Sequence, residues 1–352
     1  MIIERPLTDG TIALQNLGAQ IDAVEPAVRL GHGTVENRAG LAELIVLRGL
    51  FVGCISDYFR AEEIAEQLVR DAPENARAFF ARARTRATFH RFNDALADVD
   101  HAEQLSLDAE AAKSERAAIF QAVGRYDEAL ALREEAAERR ASFENVAALV
   151  SLHAERGETQ AAEHQYAESY SRYRGVSPFP LALLDFQLGH MWMTAGRLID
   201  ARRSFEAALR HLSSYAPALG HLAEVEAELG ETDAAVVRLY PLAMSSDDPD
   251  YAGQLARILA EADSDGESRH WCRLAAARFD ELVTSRPEAF ADHAAEFWLG
   301  AGANPDKALR FAKMNVAVRN TPRARRLLAQ AVAASGPGRG IAGPALADGV
   351  QP

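Results

Sequence analysis

Four residues in one short stretch could do recognition chemistry: Arg77, Phe80, Arg84 and Thr88 are separated by three and four positions, so they share one helical stripe. Two guanidinium groups beside a ring form a cationic, partly aromatic patch. Such a patch suits an acidic peptide segment or a C-terminal carboxylate, because arginine holds a carboxylate through two N–H groups. The plain alternative is a solvated face whose arginines balance neighbouring carboxylates. A second run, Phe186, Gln187, His190 and Met193 followed by His221 and Glu224, mixes apolar and polar groups. It could line a site for an extended peptide or simply pack between helices.

No set of residues points to catalysis, a cofactor or a metal. The ten histidines form no HExxH pair and the two cysteines, Cys54 and Cys272, lie far apart, so neither a zinc-ligand spacing nor a disulfide framework is present. Both thiols are expected to be small buried groups. The acidic run Asp247-Asp248-Pro249-Asp250 lacks the glycine and terminal glutamate of a calcium loop and reads as a solvated turn. Phosphate-binding glycine loops and nucleophile elbows are missing from the sequence. The expected protein is therefore not an enzyme.

Composition narrows the partners. A formal net charge of -13 argues against nucleic acid, which needs a basic surface. Of the basic residues only Lys113, Lys307 and Lys313 are lysines, which reads as genomic base composition. The N-terminus places charge and proline where a signal peptide has its apolar run, and the apolar run from Leu41 to Cys54 contains Glu43 and Arg48, too short and too charged to span a bilayer. The expectation is a cytoplasmic protein, bacterial in type, that engages no membrane.

The elements that would carry these residues come from a repeat. The polar turn Gly124-Arg125-Tyr126-Asp127-Glu128-Ala129 runs into an amphipathic helix, and its closing small residue recurs as Ala61, Ala95, Ala129, Ala162, Ala201 and Ala235. The steps are 34, 34, 33, 39 and 34 residues, the 39 being explained by a rigid insertion at Ser177-Pro178-Phe179-Pro180. Such a period means stacked helical hairpins, an all-α solenoid that grows in one dimension. The phase divides 38–322 into about eight units: 42–75, 76–109, 110–142, 143–176, 182–215, 216–249, 250–287 and 289–322. The seventh is degenerate, with Trp271 in the small-residue position and a long second helix ending near Arg286-Pro287. Residues 1–37 lie outside the phase as an arm or N-terminal cap. In that segment Thr8 or Asp9 would cap a short helix that Glu25-Pro26 interrupts. Asn37 then opens the first strong helix, Ala39 to Cys54. Residues 323–335 form a C-terminal capping helix, and 336–352 are Gly- and Pro-rich and read as a disordered tail.

These phased positions resemble the tetratricopeptide repeat family over about 42–322. The family's small residue in the first helix of each unit (helix A) is matched by Gly49, Ala83, Ala117, Gly189 and Ala223. Its turn glycine is matched by Gly124, Gly157, Gly196 and Gly230, and the small residue of the second helix (helix B) by the alanine series. Arg48 and Arg82 depart from the pattern by standing where leucine is usual. The resemblance implies a right-handed superhelix whose concave groove is lined by helix A, which would place both candidate stripes inside it. It implies a protein-protein interaction scaffold that binds a peptide or partner surface. The alternative is a recruiting or sensory subunit of a separately encoded enzyme or regulator, binding a small ligand. The lysine and asparagine clamp that members use for chaperone tails is absent, since Val46 and Leu50, Phe80 and Arg84, and Ser114 and Ala118 occupy comparable positions.

Overall fold

A computed structural model describes residues 7–262 and 264–336 and contains eighteen helices and no strand among them. The expected tail beyond Gly336 lies outside the described residues. After α1 (Gly10–Arg29) the helices pair as hairpins: α2 with α3 (Val35–Val52, Ile55–Asp71), α4 with α5 (Ala76–Thr88, Phe92–Gln104), α6 with α7 (Ala109–Ala122, Tyr126–Arg139) and α8 with α9 (Phe143–Glu155, Thr159–Arg172). The series continues with α10 and α11 (Phe179–Thr194, Leu198–His211), α12 and α13 (Ala216–Glu228, Thr232–Ser245), α14 and α15 (Pro249–Glu261, Asp265–Ser285), and α16 and α17 (Pro287–Leu299, Pro305–Val318). Helix α18 (Pro322–Ser335) packs against α16 and α17 at the end.

Steric size sets the hairpins. All six alanines of the series are fully buried, and a Cβ added to Gly189 would come within 2.6 Å of the Phe205 ring, so the two helices of a unit approach where side chains are smallest. The arginines that break the pattern have local partners. Arg48 forks onto Asp57 with bonds of 2.8 and 2.5 Å, and Arg82 onto Asp98 with 2.9 and 2.7 Å, so a charged pair replaces the apolar contact between helices A and B.

Several boundaries differ from the sequence expectation. Thr34, accepting from the Asn37 amide at 3.2 Å, caps α2, so that helix starts before Asn37 and ends at Val52. Helix α1 continues through Pro26 to Arg29, because a proline this near the last turn removes one backbone bond without having to redirect the chain. Asp9 is its cap, accepting from Thr11 and Ile12 at 2.9 and 3.2 Å. Buried Leu17 and Ile21 hold α1 on the same core as Leu41 and Ile45 of α2.

The larger correction concerns the groove. The superhelix closes on itself, and each A–B turn of the early units sits on the exit of the unit five places later. At unit 1, the Ile55 and Ser56 amides donate to Asp247 at 2.6 and 2.9 Å, and the Ser246 hydroxyl donates to the Gly53 carbonyl. Asp247 therefore caps α3, whose own N-cap residue, Cys54, supplies no side-chain bond. At unit 2, His90 Nδ1 bonds the Glu288 carbonyl at 3.0 Å, and beside it two residues of α3 in unit 1 join the contact, Glu62 accepting from Arg286 at 2.8 Å and Phe59 stacking on Phe290 at 6.5 Å. At unit 3, Val318 packs on the Phe92–Ile119 cluster and Gly124 faces the Asn320 carbonyl. Helix α1 joins the same series, with Thr8 N donating to Val176 O at 2.8 Å and Gly10 against the His211 carbonyl.

Across the axis, Phe51 of α2 lies 4.5 Å from Phe179 of α10 and 5.3 Å from Tyr215 before α12. Side chains thus fill the inner space where unit 1 faces units 5 and 6, and the expected open groove is interrupted there. The run 247–250 is part of this closure, not a solvated turn. Asp247 caps α3, Asp248 caps α14 through the Asp250 amide at 3.0 Å, and Asp250 meets His293 at 2.5 Å.

Two glycines isolate the closing contacts. Gly124 and Gly157 both hold left-handed backbone, with φ of +86° and +77°, yet an added Cβ meets the Asn320 carbonyl oxygen at 2.7 Å at the first and nothing within 4 Å at the second. Both alanine variants carry the cost of positive φ, so the excess for Gly124→Ala reports the closure. We expect Gly124→Ala to lose about 1 kcal/mol or more beyond Gly157→Ala in denaturant titrations; equal losses would contradict a closed coil.

Candidate functional site

The first stripe is assembled but neutralised. Arg77 bonds Glu43 at 2.8 Å, Arg84 reaches the same carboxylate at 3.0 Å and Glu115 at 3.7 Å, Phe80 is buried, and the Thr88 hydroxyl donates to the Arg84 carbonyl at 3.0 Å. Glu43 comes from unit 1, one position along the inner wall, so the cationic patch expected from one helix is half of an ion-pair network between neighbouring units. Burial raises the Glu115 pKa, its carboxyl being enclosed between α4 and α6.

The second stripe is brought together as a cluster. Phe186 lies 5.8 Å from Phe205, 5.2 Å from Tyr215 and 5.6 Å from His221, while His190 meets His221 edge-on at 5.7 Å. His221 bonds Glu224 at 2.7 Å, and Met193 packs on the Trp192–Phe205 cluster. Burial, reinforced by His221 and Arg323, drives the His190 pKa down to about 4. Gln187 differs from the rest, because it faces a cavity.

That cavity has a volume of about 500 Å³ and lies between α2, α7, α8 and α10. Its wall is mainly apolar, with Leu47, Phe143, Ala147, Ala148, Phe179, Pro180, Leu183 and Leu184, and its polar groups are Arg133, Glu144, Ser151, Ser177 and Gln187. A smaller space of about 70 Å³ adjoins it, sharing Arg133, Glu144 and Ala148. Loose packing between units 3 and 4 accounts for both spaces. Helix α7 buries only Ala129, since alanine and glutamate occupy most of its length.

Arg133 is the residue that pattern reading overlooked, although a signal for it exists in the repeat register. Four positions after each anchoring alanine the other units place Ala65, Val99, Phe205 and Leu239, all fully buried, and Tyr166. Unit 3 places an arginine there. Its guanidinium is largely enclosed, with Nη2 donating to Gln121 Oε1 at 2.8 Å and Nε buried without a hydrogen-bond partner. Gln121, itself buried, donates to Glu155 at 2.7 Å and Ser151 at 3.2 Å, and Tyr126 also bonds Glu155. Burial lowers the Arg133 pKa and raises that of Glu155, whose bonds from Gln121 and Tyr126 act in the opposite direction.

Among the described residues no group of three or more His, Cys, Asp or Glu side chains could hold a metal, and no helix is long and apolar enough to cross a membrane. Cys54 and Cys272 are free and partly buried, Cys272 donating to the Ala301 carbonyl at 3.2 Å.

The enclosed His190 makes stability pH-dependent. Its pKa falls from 6.5 unfolded to about 4 folded, so between those values the unfolded chain binds a proton that the folded chain does not. Stability is therefore full above pH 6.5 and declines as pH drops toward 4. Denaturant unfolding at pH 7.5 and pH 5 should show a smaller decline for His190→Gln than for the wild type. An unchanged decline would place the ring in water.

No family model and no curated relative matches the chain. Among solved structures it is similar to the human IFIT1 dimer with m7Gppp-AAAA, at a TM-score of 0.56 and 15% identity over 90% of this chain and 77% of that one. It is similar to the human IFIT1 dimer with PPP-AAAA at 0.55 and 16%, over 89% and 77%. A further likeness is to the Cut9-Hcn1 hetero-tetramer of APC/C, at 0.48 and 16%, where 89% of this chain spans about half, 52%, of that one. At such identities the shared property is the fold. Phased small residues, turn glycines and consecutive hairpins in one coil make the chain a tetratricopeptide-like repeat solenoid.

Proposed function

We propose that the chain is a non-catalytic interaction scaffold that receives a peptide or partner surface on the inner wall of units 3 to 5. The observation that carries this reading is the cavity beside Gln187, the stretch of inner wall that closure of the coil leaves unfilled. Rigid helices around it lose little entropy when a partner binds. Phe186, His190, Met193, His221 and Glu224 form the adjoining wall, and Arg77, Phe80, Arg84 and Thr88 a separate, charge-balanced surface suited to polar contacts at a rim.

The human IFIT1 structures carry m7Gppp-AAAA and PPP-AAAA. A phosphate chain needs several uncommitted cations. Here Arg77 and Arg84 share Glu43, and the net charge is -13, so a polypeptide is the better-matched partner. The second reading, a recruiting or sensory subunit that binds a small ligand, is favoured by one feature, the arginine in the cavity wall.

Photo-crosslinking tests the scaffold reading. Benzoylphenylalanine placed at Gln187, and as a control at the exposed Arg203 of α11, is irradiated in lysate of the native host. The expected result is a discrete protein adduct from position 187 and none from 203. Equal adducts from both positions, or none from 187, would overturn the assignment.

A further inference from the structure

We infer that the cavity between units 3, 4 and 5 is a binding site for a small amphiphilic carboxylate, its headgroup on Arg133 and its apolar body among Leu47, Phe143, Phe179 and Leu183. The inference rests on the second reading above, a subunit that binds a small ligand, and adds a ligand class to it.

The first support is register. A repeat that puts alanine, valine, phenylalanine or leucine at this position in other units has here an arginine, which leaves a cation where the architecture expects a core side chain. The second is the absence of a direct ion pair, although Glu155 is near enough to act on the cation through space. Arg82 and Arg238, also reaching between the helices of a hairpin, each fork onto a buried carboxylate, Asp98 and Glu226. Among the described residues no carboxylate forms an ion pair with Arg133. Its one acceptor is neutral, Gln121. The nearby acid, Glu155, is already engaged by Gln121 and Tyr126. An enclosed cation with spare N–H groups is unfavourable until an anion meets it.

The third support is the shape and chemistry of the wall. A space of about 500 Å³ falls within the range of small-molecule sites, roughly 300–1,000 Å³, and combines an apolar wall with one charged anchor in the manner of such sites. One guanidinium matches one carboxylate. A phosphate would call for a second cation, and Lys113, which lines only the smaller space, is paired with Glu135 at 2.8 Å. A polypeptide backbone would need a hydrogen-bond partner at each residue, more than Ser151, Ser177 and Gln187 supply. Glu144 stands exposed at the mouth, where water screens its charge from the bound headgroup.

Calorimetric titration of the full chain with sodium decanoate, against 1-decanol and a leucine-ended peptide with a free carboxylate, tests the site. Decanoate is expected to bind once per chain, with decanol weaker by about tenfold or more, the loss expected for a charge-assisted hydrogen bond. Arg133→Met should weaken decanoate by a similar factor while the melting temperature holds or rises, because an apolar residue then occupies the core position. Leu183→Trp, which keeps the arginine and fills the cavity, should abolish binding and guards against a folding defect in the first variant. No saturable decanoate binding, equal binding of decanol, undiminished binding by either variant, or binding of the peptide alone would each overturn the inference. A negative result leaves crosslinking at Gln187 untouched, so the two readings fall separately.

Discussion

The structure depends on a contact between chain segments about 190 to 230 residues apart: the turn of one early hairpin seated on the exit of the hairpin five units later. Asp247 accepts from two free amides at the start of α3, His90 meets the Glu288 carbonyl, and Gly124 admits the Asn320 carbonyl. The first two contacts satisfy backbone groups that an isolated hairpin would leave to water, the third is a close steric fit, and all recur at the same unit offset. A stack of hairpins alone has soft curvature, because every unit touches only its neighbours. Closure fixes that curvature and decides how much inner wall is left open.

The hairpins were readable because their cause is local. A small residue where two helices cross and a turn glycine at positive φ are steric demands of adjacent segments, and they recur at the period of the sequence. The closing contacts obey no period. Nothing near Asp247 in sequence announces that its carboxylate caps a helix beginning at Ile55, so the run around it reads as a solvated loop. Arg48 and Arg82 look like faults in the pattern for a related reason. Their partners, Asp57 and Asp98, sit on the paired helix, and a polar bond replaces the apolar contact the pattern expects.

The candidate site shows the same division. Phe186, His190 and Met193 share one side of α10 by their spacing, and His221 reaches them from α12, but three rings pack on Phe186 and turn much of that stripe into core. Gln187 retains access to open space, because it lies where α10 faces α8 across the loosely packed junction. Arg77 and Arg84 share a stripe too, and Glu43 from the preceding unit cancels much of their charge. Arg133 was legible only by comparing the same register position between units. There a charged side chain stands at the position that is buried and apolar in most other units, and among the described residues no carboxylate forms an ion pair with it. Chemistry here comes from a local fault in packing, held in position by the closure of the whole coil.

Closure is the claim on which the inner wall rests, and the Arg286–Glu62 pair measures it directly. The two residues are 224 apart in sequence and bonded at 2.8 Å, with Glu62 buried. A double-mutant cycle of Glu62→Gln and Arg286→Met, read by denaturant unfolding, should return a coupling of about 1–3 kcal/mol. Simple additivity of the two changes would mean that the ends of the coil do not meet in solution.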